Sequence, residues 1–328
     1  MYLVTGATGF VGSAVARQLL TRGDGVRVLL RAGSDQTNIR DLAVEVVEGD
    51  LLKPETLCGA VEGCDGVFHV AADYRLWTRN PESMFRTNVD GSRAIVHAAL
   101  SAGVSRIVYT SSVGVLGHVP GGAADEETPV TYAEMIGPYK QSKFRADEAV
   151  RQLIEEKGAP VVIVNPSTPI GPRDIKPTPT GRVIVEAASG KMPAYVDTGL
   201  NVAHVDDVAA GHLLAFDKGS VGERYILGGD DMPLADILAV VARQTKRRPP
   251  SVKLPHSAII PIAHLAEAWT LMVGGDEPFV TVDGVRMARK KMFFSSAKAE
   301  RELGYCHRPA DQALNDAVTW FCDNGYLR

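Results

Sequence analysis

LVTGATGFVG, residues 3–12, is the stretch from which the chain is best read. Tyr2, Leu3 and Val4 form an apolar strand that runs into Gly6, Gly9 and Gly12, and a helical pattern follows at once through Phe10, Val11, Ala14, Val15 and Leu19. Three glycines at a strand-to-helix turn suit phosphate binding. The first permits a tight turn, the second lets backbone approach a pyrophosphate, and the third lets the helix lie close on the strand. The helix N-terminus adds unpaired N–H groups for the anion. Gly6, Thr8, Gly9, Phe10, Val11 and Gly12 are therefore candidate cofactor-binding residues. The Gly-x-x-Gly-x-x-Gly spacing is one residue wider than the common dinucleotide fingerprint, and an ordinary strand–helix turn is the competing reading. Its position at the head of a long βαβ series favours the functional one.

Further along, short apolar runs alternate with helical patterns. Val26–Leu30, Val44–Val47, Gly66–Val70 and Arg106–Thr110 read as strands, and residues 81–102 as a long helical stretch. Nearly continuous apolar strands are covered on both faces, which predicts a doubly wound parallel α/β sheet with its ligand crevice at the C-terminal strand ends. After Asn165 the pattern changes. Five prolines between Pro166 and Pro179 predict a loop arching over the cofactor. Val183–Ala188 and Leu234–Gln244 read as helices, and Arg224–Leu227 as another strand. Residues 255–273, the most apolar part, carry His256, Pro261, His264 and Glu267; a buried or amphipathic helix fits better than a membrane span, with interfacial lipid contact as the competing reading. The expected division is a Rossmann-type domain of residues 1–165 plus 201–217, and a smaller substrate lobe of residues 166–200 plus 218–328.

Composition removes several function classes. The 328 residues carry a formal charge of −4 and only short basic clusters, at Lys246–Arg248 and Arg289–Lys291, which are poor material for tracking nucleic acid. Cys58, Cys64, Cys306 and Cys322 lack metal-ligand spacing and read as reduced, so no metal site is expected. A first strand beginning at Tyr2 leaves no room for a signal peptide, which makes the cytoplasm the expected location.

The chemistry-bearing residues follow the fifth strand. It ends in Thr110-Ser111-Ser112, and further on Tyr139 and Lys143 stand four apart, on one face of a helix. A free tyrosine titrates near pH ~10, but an adjacent ammonium favours the phenolate and brings it towards the working range. A serine hydroxyl at the neighbouring strand end could hold a substrate oxygen within reach of that phenol. Hydride transfer at a carbinol carbon needs this set. Alone, Tyr-x-x-x-Lys could be a surface aromatic packed on a lysine stem; one crossover after Thr-Ser-Ser and behind a glycine turn, it reads as a catalytic pair. At the end of the second strand, where a nicotinamide dinucleotide fold reads the adenosine ribose, stands Arg31 rather than an acid. A guanidinium there predicts NADP, with NAD as the alternative.

These features, with Asp50-Leu51, His69-Val70-Ala71-Ala72, Asn88-Val89-Asp90-Gly91 and His204-Val205-Asp206-Asp207-Val208-Ala209, resemble the extended short-chain dehydrogenase/reductase family, also known for NAD-dependent epimerases and dehydratases. The likeness covers residues 1 to about 215. Within the family, Phe68–Ala72 and Asn165–Pro172 are similar to dihydroflavonol 4-reductase-like proteins and, more closely, to hopanoid-associated sugar epimerases. The resemblance implies Tyr139 as acid/base, Lys143 as its partner and ribose ligand, Ser112 as substrate-oxygen ligand and Asn88 as a supporting residue. It also implies that Asp50 and Leu51 meet the adenine, that Ala71 and Ala72 line the cofactor, and that Pro166 abuts the nicotinamide.

A reductase of a hydrophobic or lipid-linked carbonyl compound, in hopanoid or terpenoid metabolism, is the expected activity. A sugar epimerase that oxidises its substrate transiently is the first alternative, and a non-catalytic dinucleotide-sensing protein the second. The family's nucleotide-sugar enzymes place an Arg-Asp-aromatic run where this chain has Leu200-Asn201-Val202-Ala203, which argues against a nucleotide sugar, although Arg173, Lys176 and Arg182 could meet a diphosphate. Family members pair through two helices corresponding to residues 81–102 and 139–156, and apolar stripes here (Val89, Ile95, Val96, Leu100; Phe144, Val150, Leu153) predict a homodimer. His204 is expected to be a satisfied core histidine, and Asp206 and Asp207 to compensate a helix N-terminus.

Overall fold

Short runs of three to six residues form the strands, apolar throughout most of the main sheet and polar at the edge strand and in the small sheets. In chain order they are Tyr2–Thr5 (β1), Val26–Leu30 (β2), Glu45–Glu48 (β3), Gly66–His69 (β4), Arg106–Thr110 (β5) and Val161–Pro166 (β6). Thr168–Ile170 (β7), Ala194–Val196 (β8), Gly199–His204 (β9), Arg224–Leu227 (β10), Asp230–Pro233 (β11) and Val252–Leu254 (β12) follow. The computed structural model describes residues 1–274 and 278–327; residues 275–277 and 328 of the expected substrate lobe lie outside the described residues. Seven strands make one parallel sheet in the order β10-β6-β5-β4-β1-β2-β3. The order reverses at β1/β4, so the glycine turn after β1 opens at the crevice of a Rossmann-type sheet.

Helices cover both faces. They are Phe10–Arg22 (α1), Leu57–Val61 (α2), Pro81–Phe85 (α3), Gly91–Ser101 (α4), Gly137–Lys157 (α5) and Pro179–Ala188 (α6). Val205–Lys218 (α7), Leu234–Gln244 (α8), His256–Val273 (α9), Val282–Met287 (α10), Ala297–Leu303 (α11) and Ala310–Asp323 (α12) complete the chain. On one face Val4, Val28, Phe68 and Val162 pack under Leu19 of α1 and Val208 of α7. On the other, Leu3, Val67, Ile107 and Ile163 pack under Ile95 of α4 and Val150 of α5. Alternate residues of one strand thus feed opposite cores, which is why the strands read as unbroken apolar runs.

Outside the main sheet lie the small sheets β11-β9-β7 and β12-β8 and a core among α6, α8 and α12. Several expectations need correction here. Arg224–Leu227, placed by sequence in the substrate lobe, is the edge strand of the main sheet against β6. Within residues 201–217 only α7 joins the first domain, packing on α1; β9 belongs to the small sheet. The proline-rich stretch is not one loop, because Thr168–Ile170 pairs with β9 and Pro179 opens α6. In the helices proposed to dimerise, Ile95, Val96, Val150 and Leu153 face the sheet. Their exposed side chains include Arg86, Arg93, Arg145 and Glu148, so the apolar stripes give a dimer no support. Residues 256–273 do form a helix, and no helix among the described residues is long and apolar enough to cross a membrane. That helix is not buried, however. Ala263, Ala266 and Thr270 face inward, whereas Leu265, Trp269 and Met272 are 72%, 65% and 82% exposed.

Candidate functional site

The site assembles where β1, β4, β5 and β6 end. At Gly6 the backbone turns left-handed (φ +72°), and a Cβ there would lie 2.7 Å from the Ala71 backbone after β4. A Cβ on Gly12 would stand 2.2 Å from the Gly6 carbonyl oxygen. Only glycine lets the two strand ends and α1 approach so closely. Gly9 caps α1 without a side-chain bond, and no acidic residue occupies the first turn, so backbone N–H groups there are open to an anion. Phe10 and Gly12 are buried, while Thr8, Gly9 and Val11 remain half-exposed along the crevice. Ala71 donates its N–H to Thr5 Oγ1 at 3.2 Å, and Ala71 and Ala72 are half-buried.

Arg31 is exposed at the end of β2. Asp50 closes a turn after β3, accepting the Leu52 N–H at 3.0 Å, and Leu51 lies against Gly91 of α4.

Ser112 follows β5 and its Oγ accepts the Gly114 N–H at 3.0 Å, which fixes its rotamer. Ser112 is near enough to the Tyr139 hydroxyl to act on its ionisation. Burial raises the Tyr139 phenol above its ordinary value, and Ser112 partly offsets this. Lys143 sits one turn along α5, buried, with Nζ donating to the Thr110 carbonyl at 2.8 Å and lying 5.0 Å from the Tyr109 ring centroid. Burial pulls its amine down to about 8. Lys143 Nζ is directed at the β5 carbonyl, and Ser112 is the group that lowers the phenol here.

Asn88 occupies a one-turn π-helical segment, Arg86–Asp90, between α3 and α4. Its Oδ1 accepts the Asp73 N–H at 2.8 Å, and its Nδ2 donates to Asp73 O and Ser142 Oγ, both at 2.9 Å. Ser142 Oγ then donates to the carbonyl of Tyr139 itself at 2.8 Å. Asn88 therefore acts as a positioning residue, tying the loop after β4 to the turn that carries the tyrosine.

Three supports escaped the sequence reading. Ser111 Oγ donates to Asp147 at 2.7 Å, and Asp147 also pairs with Arg224 of β10 at 2.6 Å, locking α5 to the sheet. The signal was present: Asp147 is four residues beyond Lys143, on the same helix face. His69 bridges Thr5 Oγ1 (2.8 Å) and Ser92 Oγ (3.0 Å), with burial pushing it down to about 3, so it stays neutral. Asn165 Nδ2 donates to Ser112 O at 2.8 Å. On either side of Pro166, Asn165 Oδ1 and Ser167 Oγ are buried with no partner among the described residues.

The residues present fit a nicotinamide dinucleotide at both ends. The glycine cradle has no room for a Cβ but leaves N–H groups open. The orphaned Asn165 and Ser167 oxygens flank Pro166, where an amide donor would satisfy them. By contrast, the cations suggested for a diphosphate are engaged: Arg173 pairs with Asp206, and Lys176 lies 3.5 Å from Asp35. His204 is satisfied as expected and has a further task, since its Nδ1 accepts the Asp206 N–H at 3.0 Å and caps α7. Asp206 and Asp207 stand in the first turn, Asp207 in a two-pronged pair with Arg308. Among the described residues the four cysteines are free and no cluster suits a metal.

Comparison with known proteins agrees with this geometry. The model of the NAD dependent epimerase/dehydratase family matches residues 2–228. The chain is 44% identical to a Synechocystis sp. protein named "Putative dihydroflavonol 4-reductase", over 100% of this chain and 96% of that one. It is 34% identical to sterol demethylase protein B of Methylococcus capsulatus, over 99% of each. The crystal structure of gox2253 superposes with a TM-score of 0.90 at 53% identity, covering 100% of this chain and 99% of the other. The chain is an enzyme of the oxidoreductase kind with a Rossmann-type fold, and it belongs to the NAD-dependent epimerase/dehydratase family.

Proposed function

We propose that this enzyme is an NADP(H)-preferring carbonyl reductase that reduces a hydrophobic ketone or aldehyde to the alcohol. The observation that carries the reading is the Tyr139–Ser112 pair beside the buried Lys143, with the tyrosine held protonated by burial. A bound nicotinamide supplies the hydride. Ser112 Oγ orients the substrate oxygen, and Tyr139 donates its proton to that oxygen as the carbon–hydrogen bond forms. A phenol whose pKa is raised is the correct ionic form for this direction of reaction at neutral pH. Lys143 is charged below about pH 8, and its Nζ beside the Thr110 carbonyl would hold a ribose hydroxyl of the bound dinucleotide. Arg31, exposed and with no acid among residues 31–34, supports NADP over NAD. The names of the Synechocystis and Methylococcus relatives support reduction and an apolar substrate, although the lipid link and hopanoid setting rest on the sequence resemblance alone.

The family's name keeps an epimerase as the second reading. The two differ in bookkeeping: a reductase consumes one reduced cofactor per product, whereas an epimerase returns its hydride and holds the dinucleotide. The deciding experiment identifies any copurifying nucleotide and titrates NADPH and NADH into wild type and Arg31→Ala. NADPH should bind about tenfold or more tightly than NADH in wild type, and the variant should lose that preference. Tightly retained NAD, or equal affinities, would favour the epimerase.

A further inference from the structure

Lys143 is a lysine held out of water with little to compensate its charge. The residue is 3% exposed, yet Nζ makes a single hydrogen bond among the described residues, to the Thr110 carbonyl at 2.8 Å. A cation in such a place needs an anion or other electron-rich partners. Asp147, one turn along α5, acts on it from a distance. Its own oxygens are taken up by Ser111 at 2.7 Å, Arg151 at 3.1 Å and Arg224 at 2.6 Å. One further group meets the ammonium. Nζ lies over the Tyr109 ring, 5.0 Å from its centroid, within the range at which the negative face of an aromatic ring attracts a cation. That attraction is largest where water is excluded, and Tyr109 is fully buried.

Sheet register fixes the ring in place. Tyr109 of β5 stands directly beside His69 of β4 and Ile163 of β6, on the sheet face covered by α4 and α5. The His69 and Tyr109 rings lie nearly parallel, with 24° between their planes and 5.9 Å between centroids, and Thr5 and Ser92 hold the imidazole in turn. His69 is neutral, since burial and then the Lys143 charge hold it down to about 3, so no second cation competes for the ring. The other ionisable groups that act on Tyr109 are Asp147 and Tyr139 from α5 and Arg224 from β10.

We propose that Tyr109 is a positioning residue that acts through Lys143: its ring face takes the place of water around the ammonium and keeps it charged beside the Thr110 carbonyl. The inference rests on the ribose role given to Lys143 above and adds what lets so deeply buried a lysine keep its proton at neutral pH.

The test titrates Lys143 directly, in protein without dinucleotide. Lysine is labelled with carbon-13 at Cε, and the Lys143 resonance is the one missing from Lys143→Met. Its midpoint in wild type should lie near 8. Tyr109→Phe keeps the ring face and should leave the midpoint within about 0.3 of wild type. Tyr109→trifluorophenylalanine keeps the ring shape but removes the negative potential of its face, and should lower the midpoint by about one pH unit. If either of these proteins fails to fold, Tyr109→Leu is compared with wild type and should lower the midpoint likewise. A midpoint unchanged or raised when the face is lost overturns the proposal, and so does an equal fall in Tyr109→Phe. Calorimetric binding of NADP⁺ across the same titration is measured separately. Affinity should decline above the Lys143 midpoint, and at lower pH in the fluorinated protein. An affinity that ignores this titration removes the ribose role of Lys143, whereas the resonance alone decides the role of Tyr109.

Discussion

Around Ser112 several polar groups are paired through contacts distant in sequence, whereas the outer face of α9 is apolar and largely exposed. Asn88 binds the loop after β4 and the α5 turn, Asp147 joins Ser111 to Arg224, and Asn165 holds the Ser112 carbonyl. On α9, Leu265, Trp269 and Met272 look outward while three small or polar residues face in. The first region derives precision from buried hydrogen bonds, each costly to break. The second contributes little to positioning the site, so the two regions should respond to substitution in opposite ways.

The largest expected effect is at the phenol. Tyr139→Phe should lower turnover by about 10²–10⁴ with dinucleotide affinity within about threefold, because only the proton donor is removed. Steady-state kinetics beside fluorescence titration check this, and near wild-type turnover would dissolve the contrast. Gly12→Ala comes next. Its Cβ would meet the Gly6 carbonyl at 2.2 Å, so unfolding in urea should show a loss of about 1–3 kcal/mol, with weaker dinucleotide binding. An unchanged midpoint would mean that the turn adjusts more freely than its packing indicates.

A pH titration sharpens the comparison further. His69 and His212 are buried and neutral, pushed down to about 3 and about 4 by desolvation. Their folded pKa values lie below the unfolded value of 6.5, so the unfolded state binds the extra protons. Stability is fully present above that value and is lost as pH falls from there towards 4, by about 1.4 kcal/mol per pH unit for each histidine. Denaturation midpoints measured across this window should fall, with a shallower slope in His212→Gln. A flat profile would place these rings in water. The smallest effect is expected on α9, where Leu265→Lys or Trp269→Lys should change stability by no more than about 0.5 kcal/mol and leave turnover intact. A large loss in either would mean that this face has a structural partner.

Much of the site was legible because its signals are local. Glycines at 6, 9 and 12 answer to the sterics of one turn, and Tyr139 and Lys143 answer to helical periodicity. Strand runs such as Val26–Leu30 and Arg106–Thr110 could be read to the residue, since burial on both faces leaves them mostly apolar, with Arg27 the charged exception. The His69 ring and the His204 cap were harder, because a histidine carries no mark of which oxygen it will meet. Lys140 is the sharper case: its place on the helix gives no sign that Met292 Sδ, far along the chain, stands 3.8 Å from its ammonium.

Residue order by itself determined the alternation of strand and helix, the phosphate-type turn, and the spacing of hydroxyl, phenol and amine, all set by φ/ψ sterics and by side-chain period within a few residues. Only the tertiary structure decided that Arg224–Leu227 closes the main sheet, that Asn88 sits in a π turn facing Ser142, that the apolar stripes of α4 and α5 turn to the sheet, and that α9 shows its apolar face to solvent. Those outcomes depend on strand register and on which surfaces meet across tens to hundreds of residues. Apolar content states that a side chain is able to be buried; which partner buries it is settled by packing.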